Sequence, residues 1–544
     1  MKYQRRPNLP FDTIRQMVKE ADEKYHDSVA YRYKLSKTEI KDVTFGEFKN
    51  QCEALGAALC ELGYGNTHVA CYCENRYEWI LSYFTVIMSE GAFVPLDKDL
   101  PSEDFKDLFN NSDSKVIFVG KKNLEKLLEV KDKMPLLEKI ICFDLDEDQD
   151  GVLSFSKLLK HGESLDKTQY NSLQSDLHSL KLLVYTSGTT GVAKGVMLSE
   201  SNMVNLVYHG LNVAHIYDSG LSILPYTHSY AAVVDILVAF RYGASLAIND
   251  QLKAVVNNLK LFKPDYMMIV PAVAELFYTA VNNNVKKQGK EKAFKILIKV
   301  SRALRKMGID LRRKLFSSVY EAFGGNLRQL VCGGAPIRPE IGKFFDDIGI
   351  PLTAGYGITE CSPLVCVNPM GATNYKSAGK KLGCVEWRID QPNEEGIGEI
   401  CVKGKTVMLG YYKNPEKTAE VIKDGWFYTG DYGMITEDDE LIITGRKKNL
   451  IVLSNGKNIY PEEMENILMS IDEITEIVVR GIKNEHGEEI ALSAEVFMEQ
   501  PIDKEALRTK IDEALKDLPA YKQIKDVIIR TEPFPKTSSR KIKR

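Results

Sequence analysis

Long apolar runs are missing from this chain. The longest near its middle, residues 231–240, is ten residues long and contains Asp235, too short to span a bilayer. An excess of charge is missing as well: 72 Lys and Arg stand against 75 Asp and Glu, a net −3 over 544 residues. That balance gives no global pull toward nucleic acid or an anionic membrane, and no basic amphipathic helix stands out. The ten cysteines are scattered, and Cys71-x-Cys73 has no second pair at metal spacing. All ten therefore read as reduced thiols of a cytoplasmic protein. Lys2, Arg5 and Arg6 are followed by Pro-Asn-Leu-Pro-Phe-Asp, not by an apolar stretch, which predicts no signal peptide. Internal repeats and low-complexity linkers are also lacking, which excludes a repeat array. Half of a calcium loop is present, Asp146-x-Asp148-x-Asp150-Gly151, but its twelfth position is Lys157. Without the bidentate acid the segment reads as a solvated acidic turn.

What is present is an alternation. Thr44-Phe45-Gly46-Glu47 is a capping-box pattern opening a helix with Phe48, Cys52, Leu55 and Leu59 on one face. Strands then alternate with helices: strand 68–73, helix 76–90, strand 92–96, helix 102–110, strand 115–120. The rhythm returns between 251 and 360, and predicts parallel sheets covered by helices. Glycines and short strands dominate 380–445, as in a small β subdomain, and a compact α+β section closes the chain. The predicted class is α/β, with a large domain over 1–446 and a small mobile domain over 447–544.

The most informative loop is Tyr-Thr-Ser-Gly-Thr-Thr-Gly-Val-Ala-Lys-Gly at 185–195. Gly188, Gly191 and Gly195 permit tight turns and close approach of a ligand. Thr186, Ser187, Thr189 and Thr190 put four hydroxyls into five positions, and Lys194 adds a positive charge. The set suits a polyphosphate. It is not a Walker A loop, because Gly195 follows Lys194. Strand-like runs flank it on both sides, and a helix begins only near Asn202, so the loop is predicted to join two strands.

Five more segments accompany it: Leu-Pro-Tyr-Thr-His-Ser-Tyr at 224–230, Val-Cys-Gly-Gly-Ala-Pro at 331–336, Thr-Ala-Gly-Tyr-Gly-Ile-Thr-Glu at 353–360, Gly-Trp-Phe-Tyr-Thr-Gly-Asp at 425–431 with Gly445-Arg446-Lys447-Lys448, and Pro-Lys-Thr-Ser-Ser-Arg-Lys-Ile-Lys-Arg at 535–544. In this order they resemble the adenylate-forming (AMP-binding) superfamily, and within it the fatty acyl-CoA synthetases, over nearly the whole chain. The resemblance implies ATP, Mg2+ and coenzyme A as reactants and cofactors. It places residues 186–194 on the β- and γ-phosphates, Glu360 on magnesium and Thr359 beside the α-phosphate. Tyr356, followed by Gly357, would stack on adenine, with Gly333, Gly334 and Ala335 on the other side of the base. Asp431 and Arg446 would hold the ribose. Lys541 matches the catalytic lysine, although Arg540 stands where the family has glycine, and Lys543 fits the same role. Lys448 matches the hinge, and Gly456 would leave room in the pantetheine tunnel.

His228 resembles the gate beside the acyl pocket. Ala231, Ala232, Val233, Val234 and Ile236 are small or aliphatic, which suits a medium- or long-chain fatty acid. The nearest acid, Asp235, lies seven residues after His228, which argues against an amino-acid substrate. An aryl-acid CoA ligase, an enzyme loading a carrier protein, and a non-catalytic nucleotide-binding protein stay open. No nucleic acid partner is expected; a peripheral membrane contact suits a lipid substrate.

Overall fold

A computed structural model describes residues 6–36, 39–186, 193–370, 373–536, 542 and 544. The chain forms two compact units, one of residues 1–386 with 403–425, the other of 387–402 with 426–544. The second unit thus takes in strands upstream of residue 446. The reason is local pairing: Trp426–Ile435 and Leu441–Arg446 run antiparallel, and the helix Pro461–Leu468 packs on the second of them.

The first unit is built on two sheets. One has eight strands, in the order Gly410–Tyr411, Lys194–Ser199, Leu180–Thr186, Ala92–Leu96, His68–Tyr72, Ser114–Val119, Lys139–Cys142 and Val152–Ser154. From Leu180–Thr186 to Val152–Ser154 its strands are parallel, and Ala92–Leu96 is buried at every position, as expected where helices cover both faces. The other sheet has nine strands and is parallel except at its ends. It carries Ser219–Ser222, Gln329–Cys332 and Leu352–Gly357, the strands that lead into three of the singled-out segments. The capping box at Thr44 and Glu47 forms as predicted. It opens the helix Phe45–Glu61, with Phe48, Cys52, Leu55 and Leu59 buried.

In the second unit a three-stranded sheet, Glu476–Lys483, Glu489–Phe497 and Ile524–Arg530, is covered by Pro461–Leu468 and Lys504–Leu515. Met464, Leu468, Leu492, Val496, Leu507 and Ile511 form its core.

One element is of an uncommon kind, and one sequence expectation is corrected. The run after Ser229 is a π-helix, Tyr230–Leu237, continued by an α-turn over Val238–Tyr242. Its looser winding spoils the 3.6-residue period that marks an α-helix. And a basic amphipathic helix does exist, at Glu291–Lys306. Phe294 anchors it through ring contacts with Phe316 at 5.5 Å and Phe344 at 6.2 Å. It escaped notice because its charge is cancelled elsewhere in the chain. No described helix is long and apolar enough to cross a membrane.

Candidate active site

The glycine-rich loop sits on a hairpin. Leu180–Thr186 and Lys194–Ser199 run antiparallel, with Thr186 opposite Lys194, so the loop does not open a helix. Ser187, Gly188, Thr189, Thr190 and Gly191 lie outside the described residues. Both ends of the loop are described: the Thr186 hydroxyl donates to the Lys194 carbonyl at 3.4 Å, and the Lys194 ammonium lies 5.1 Å from the centre of the Tyr411 ring.

Tyr411 links that hairpin to Glu360. The strand Leu352–Gly357 ends in a single turn, Thr359–Cys361, that presents Glu360. The turn needs glycine at 357, where a Cβ would lie 1.7 Å from the Pro363 carbonyl oxygen. The Tyr411 hydroxyl donates to Glu360 Oε1 at 2.8 Å, and burial with the nearby carboxylate pushes this phenol far up.

Residues 405–412 are clamped from three sides. Asn202 Nδ2 donates to the carbonyls of Lys405 and Val407 at 2.8 and 2.9 Å. The Met408 amide donates to the Glu360 carbonyl at 2.8 Å, and the Tyr412 amide to the Gly195 carbonyl at 2.7 Å. Asn202 also completes a capping box with Ser199 on the helix Glu200–Val213.

The histidine segment meets the same turn. Asn75 fixes it, accepting from the Tyr226 amide at 3.0 Å and donating to the Leu224 carbonyl at 2.7 Å. His228 follows, and its carbonyl starts the π-helix by accepting from Ala231 and Ala232. The Ser229 hydroxyl donates to Thr359 Oγ1 at 3.2 Å, and the Tyr230 hydroxyl to the Val331 carbonyl at 3.0 Å. Gly333 is small for that ring: a Cβ there would lie 3.3 Å from it. Gly334 turns through φ +88°, and Ala335 is exposed. Tyr356 is 9% exposed, within its strand.

Ala231, Ala232, Val233, Val234 and Ile236 are all buried, and so is Asp235. Asp235 Oδ2 accepts from Ser222 at 2.5 Å, and burial pushes its carboxyl up to about 7. A carboxyl committed to Ser222 and half-protonated near neutrality is a poor counter-ion for an α-amine.

In the second unit Asp431 and Arg446 are cross-strand neighbours, with Arg446 Nε 3.4 Å from Asp431 Oδ1. Buried Glu399 holds two groups nearby: it accepts from the Gly430 amide at 3.1 Å and pairs with Lys447 at 2.6 Å. Lys448 sits in the turn Lys447–Asn449. Burial and the charges of Arg446 and Arg544 hold its ammonium below the ordinary lysine range. Gly456 has φ +79° in the turn between Ile451–Val452 and Asn458–Ile459. Lys541 and Lys543 lie outside the described residues; Arg544, next in sequence, pairs with Glu465, whose carboxyl burial lifts to about 7.

Among the described residues no group of three or more His, Cys, Asp and Glu gathers to hold a metal. Glu360 is thus a lone carboxylate beside a phosphate-type loop. That donor set fits Mg2+ arriving on a polyphosphate, whose oxygens supply the remaining ligands, and does not fit a resident metal centre. Sequence reasoning missed Tyr411, Asn75, Asn202 and Glu399, all of which act through partners distant in the chain.

A hairpin whose Lys194 end meets Tyr411, and through it the carboxylate of Glu360, stands on an α/β unit, an arrangement that suits a phosphate-bearing ligand. Comparison with known proteins narrows it. The AMP-binding enzyme family model matches residues 18–412, and that of the AMP-binding enzyme C-terminal domain matches 463–541. The long-chain-fatty-acid–CoA ligase FadD15 of Mycobacterium bovis is 30% identical over 495 residues, covering 86% of this chain and 80% of that protein. Fatty acyl-CoA synthetase B of Dictyostelium discoideum is 28% identical, covering 81% and 70%. The solved anthranilate CoA ligase AuaEII, in complex with anthranoyl-AMP, shares the fold with a TM-score of 0.80 at 20% identity, over 98% of this chain and 96% of that one. The chain belongs to the AMP-binding enzyme family, and is an acyl-CoA synthetase. Its class of reaction uses ATP and coenzyme A.

Proposed function

We propose that this enzyme joins a medium- or long-chain fatty acid to coenzyme A through an acyl-adenylate. The observation that carries the reading is the convergence of Lys194, Tyr411, Glu360 and Thr359 next to His228 and the buried aliphatic residues 231–236. One carboxylate oxygen of the acid attacks the α-phosphorus of ATP, and the bond to pyrophosphate breaks. The thiol of coenzyme A, losing its proton to solvent, then attacks the acyl carbonyl and AMP leaves.

In this reading residues 186–194 hold the pyrophosphate portion that departs, and Thr359 donates to the α-phosphate. Glu360, oriented by Tyr411, would hold the Mg2+ that a nucleotide brings, which would supply positive charge against the phosphates. Tyr356 and residues 333–335 take the adenine, and Asp431 and Arg446 the ribose, whose two hydroxyls one carboxylate can serve. Lys541 neutralises the charge that develops between the carboxylate and the α-phosphate. Lys448 is the hinge at which residues 447–544 part from 1–446, so that Gly456 and its neighbours can admit pantetheine. Aliphatic residues at 231–234 and 236 would favour methylenes, each worth about 0.8 kcal/mol when buried, and the names of the relatives point the same way.

The test is release of AMP across fatty acids of C2–C18 and a set of benzoates, each with coenzyme A or a carrier protein as acceptor. Turnover confined to coenzyme A and rising with chain length supports the reading. Preference for benzoates, for a carrier protein, or absence of acid-dependent AMP would overturn it.

A further inference from the structure

The helix Glu291–Lys306 shows solvent two parallel stripes. Ala293, Ile296, Val300, Ala303 and the capping residue Met307 recur at intervals of three and four. So do Lys292, Lys295, Lys299, Arg302 and Lys306. At about 100° per residue the two rows lie side by side, opposite the inward row of Phe294, Leu297, Ile298 and Ser301. Every member of both rows is exposed; Ile296 keeps 60% and Met307 73% of its surface. Exposed apolar side chains in register along a helix are unusual for a face with no partner.

The charge is as local as the stripe. From Lys286 to Lys314 there are twelve lysines and arginines and two acids, Glu291 and Asp310, in a chain whose net charge is −3. Arg302 pairs with Asp347, Arg305 with Asp346 and Arg312 with Asp310. Lys292, Lys295, Lys299 and Lys306 have no ion pair among the described residues.

The two rows together select the occupant. A second copy covering the apolar row would bring lysine row against lysine row, a like-charge juxtaposition. A phosphate polymer would use the lysines and leave Ile296 and Met307 in water. An anionic bilayer uses both: apolar side chains enter the boundary between headgroups and acyl chains, while lysines reach lipid phosphates on flexible stems. We propose that this helix docks the enzyme on the surface of anionic lipid bilayers.

Flotation of the full chain with vesicles tests it. The protein is expected to rise with phosphatidylcholine vesicles containing about 30% phosphatidylserine, to stay down with phosphatidylcholine alone, and to be released at about 0.5 M NaCl. The triple variant Lys295→Gln, Lys299→Gln, Lys306→Gln should bind on the order of 100-fold more weakly, and Ile296→Ser with Met307→Ser on the order of tenfold more weakly. Both should release AMP at the wild-type rate without vesicles, which also shows that they fold. The proposal fails if the wild type does not rise with anionic vesicles, or if either variant rises as well as the wild type. It fails equally if the serine variant splits a dimer and floats unchanged, since the apolar row would then join subunits.

Discussion

Asp235 gives the sharpest energetic test, because its carboxyl is fully enclosed. One oxygen accepts from Ser222 at 2.5 Å; the other has no hydrogen-bond partner among the described residues. Burial raises the carboxyl from an ordinary 3.8 to about 7. Between those values the folded protein holds a proton that the unfolded chain has released. The contribution to stability is therefore complete below the unfolded value and is lost as pH rises toward 7. One pKa unit corresponds to about 1.4 kcal/mol. Integrated from about pH 5.5 to about pH 7.5, the loss is about 2 kcal/mol. Asp235→Asn keeps an acceptor for Ser222 and does not titrate. Urea unfolding would be measured for both proteins in a Trp387→Phe, Trp426→Phe background. Trp79, buried with its ring 5.2 Å from Tyr226, then reports on the unit that holds Asp235. The free-energy difference between wild type and variant should fall by about 2 kcal/mol across that window. An equal difference at both pH values would show that the carboxyl does not carry the proton and refute the reasoning.

Tyr411→Phe removes one hydrogen bond to a carboxylate and should lower kcat/KM for ATP about tenfold, read from AMP release; an unchanged value would detach Glu360 from the reaction. Asn202→Ala removes half of a capping box and two hydrogen bonds to half-buried carbonyls, which should destabilise by about 2 kcal/mol in urea unfolding; a loss within experimental error would mean that the clamp on residues 405–412 is slack. Lys541→Ala should cut adenylation by about 100-fold or more, and near-normal pyrophosphate exchange would move the role elsewhere, with Lys543 next in line. Lys448→Pro should leave pyrophosphate exchange intact and abolish acyl-CoA formation; equal loss of both would remove the hinge assignment.

The segments proposed to hold phosphate were legible because that chemistry is local. Hydroxyls, glycines and one cation must be close in sequence to wrap one anion, as at 186–194. The hairpin context could be read from the strand-like runs on either side. Groups that work through distant partners left no such mark. Tyr411 stands 51 residues after Glu360, and Asn75 is 151 before the Tyr226 amide it accepts from. Asn202 was visible as the start of a helix, but nothing in its neighbourhood announces the carbonyls at 405 and 407. The π-helix hid for another reason: every residue from 231 to 237 is buried, so no periodic contrast between faces existed to be read. The basic helix failed the opposite way. Its amphipathic pattern is strong, but its charge is cancelled by acids elsewhere in a chain of net −3, so the overall balance did not announce it.

The pairing of Lys447 with buried Glu399 has a mechanical consequence. A carboxylate that also takes the Gly430 amide pins the backbone one residue short of Lys448, much as a clevis pin fixes one arm of a joint. With Lys448 as the proposed hinge, the pair would hold the side chain just upstream of the pivot, so that a turn of the backbone there would begin beyond Lys447. On that proposal, replacing Glu399 would free Lys447 as well and would lengthen the joint rather than weaken it.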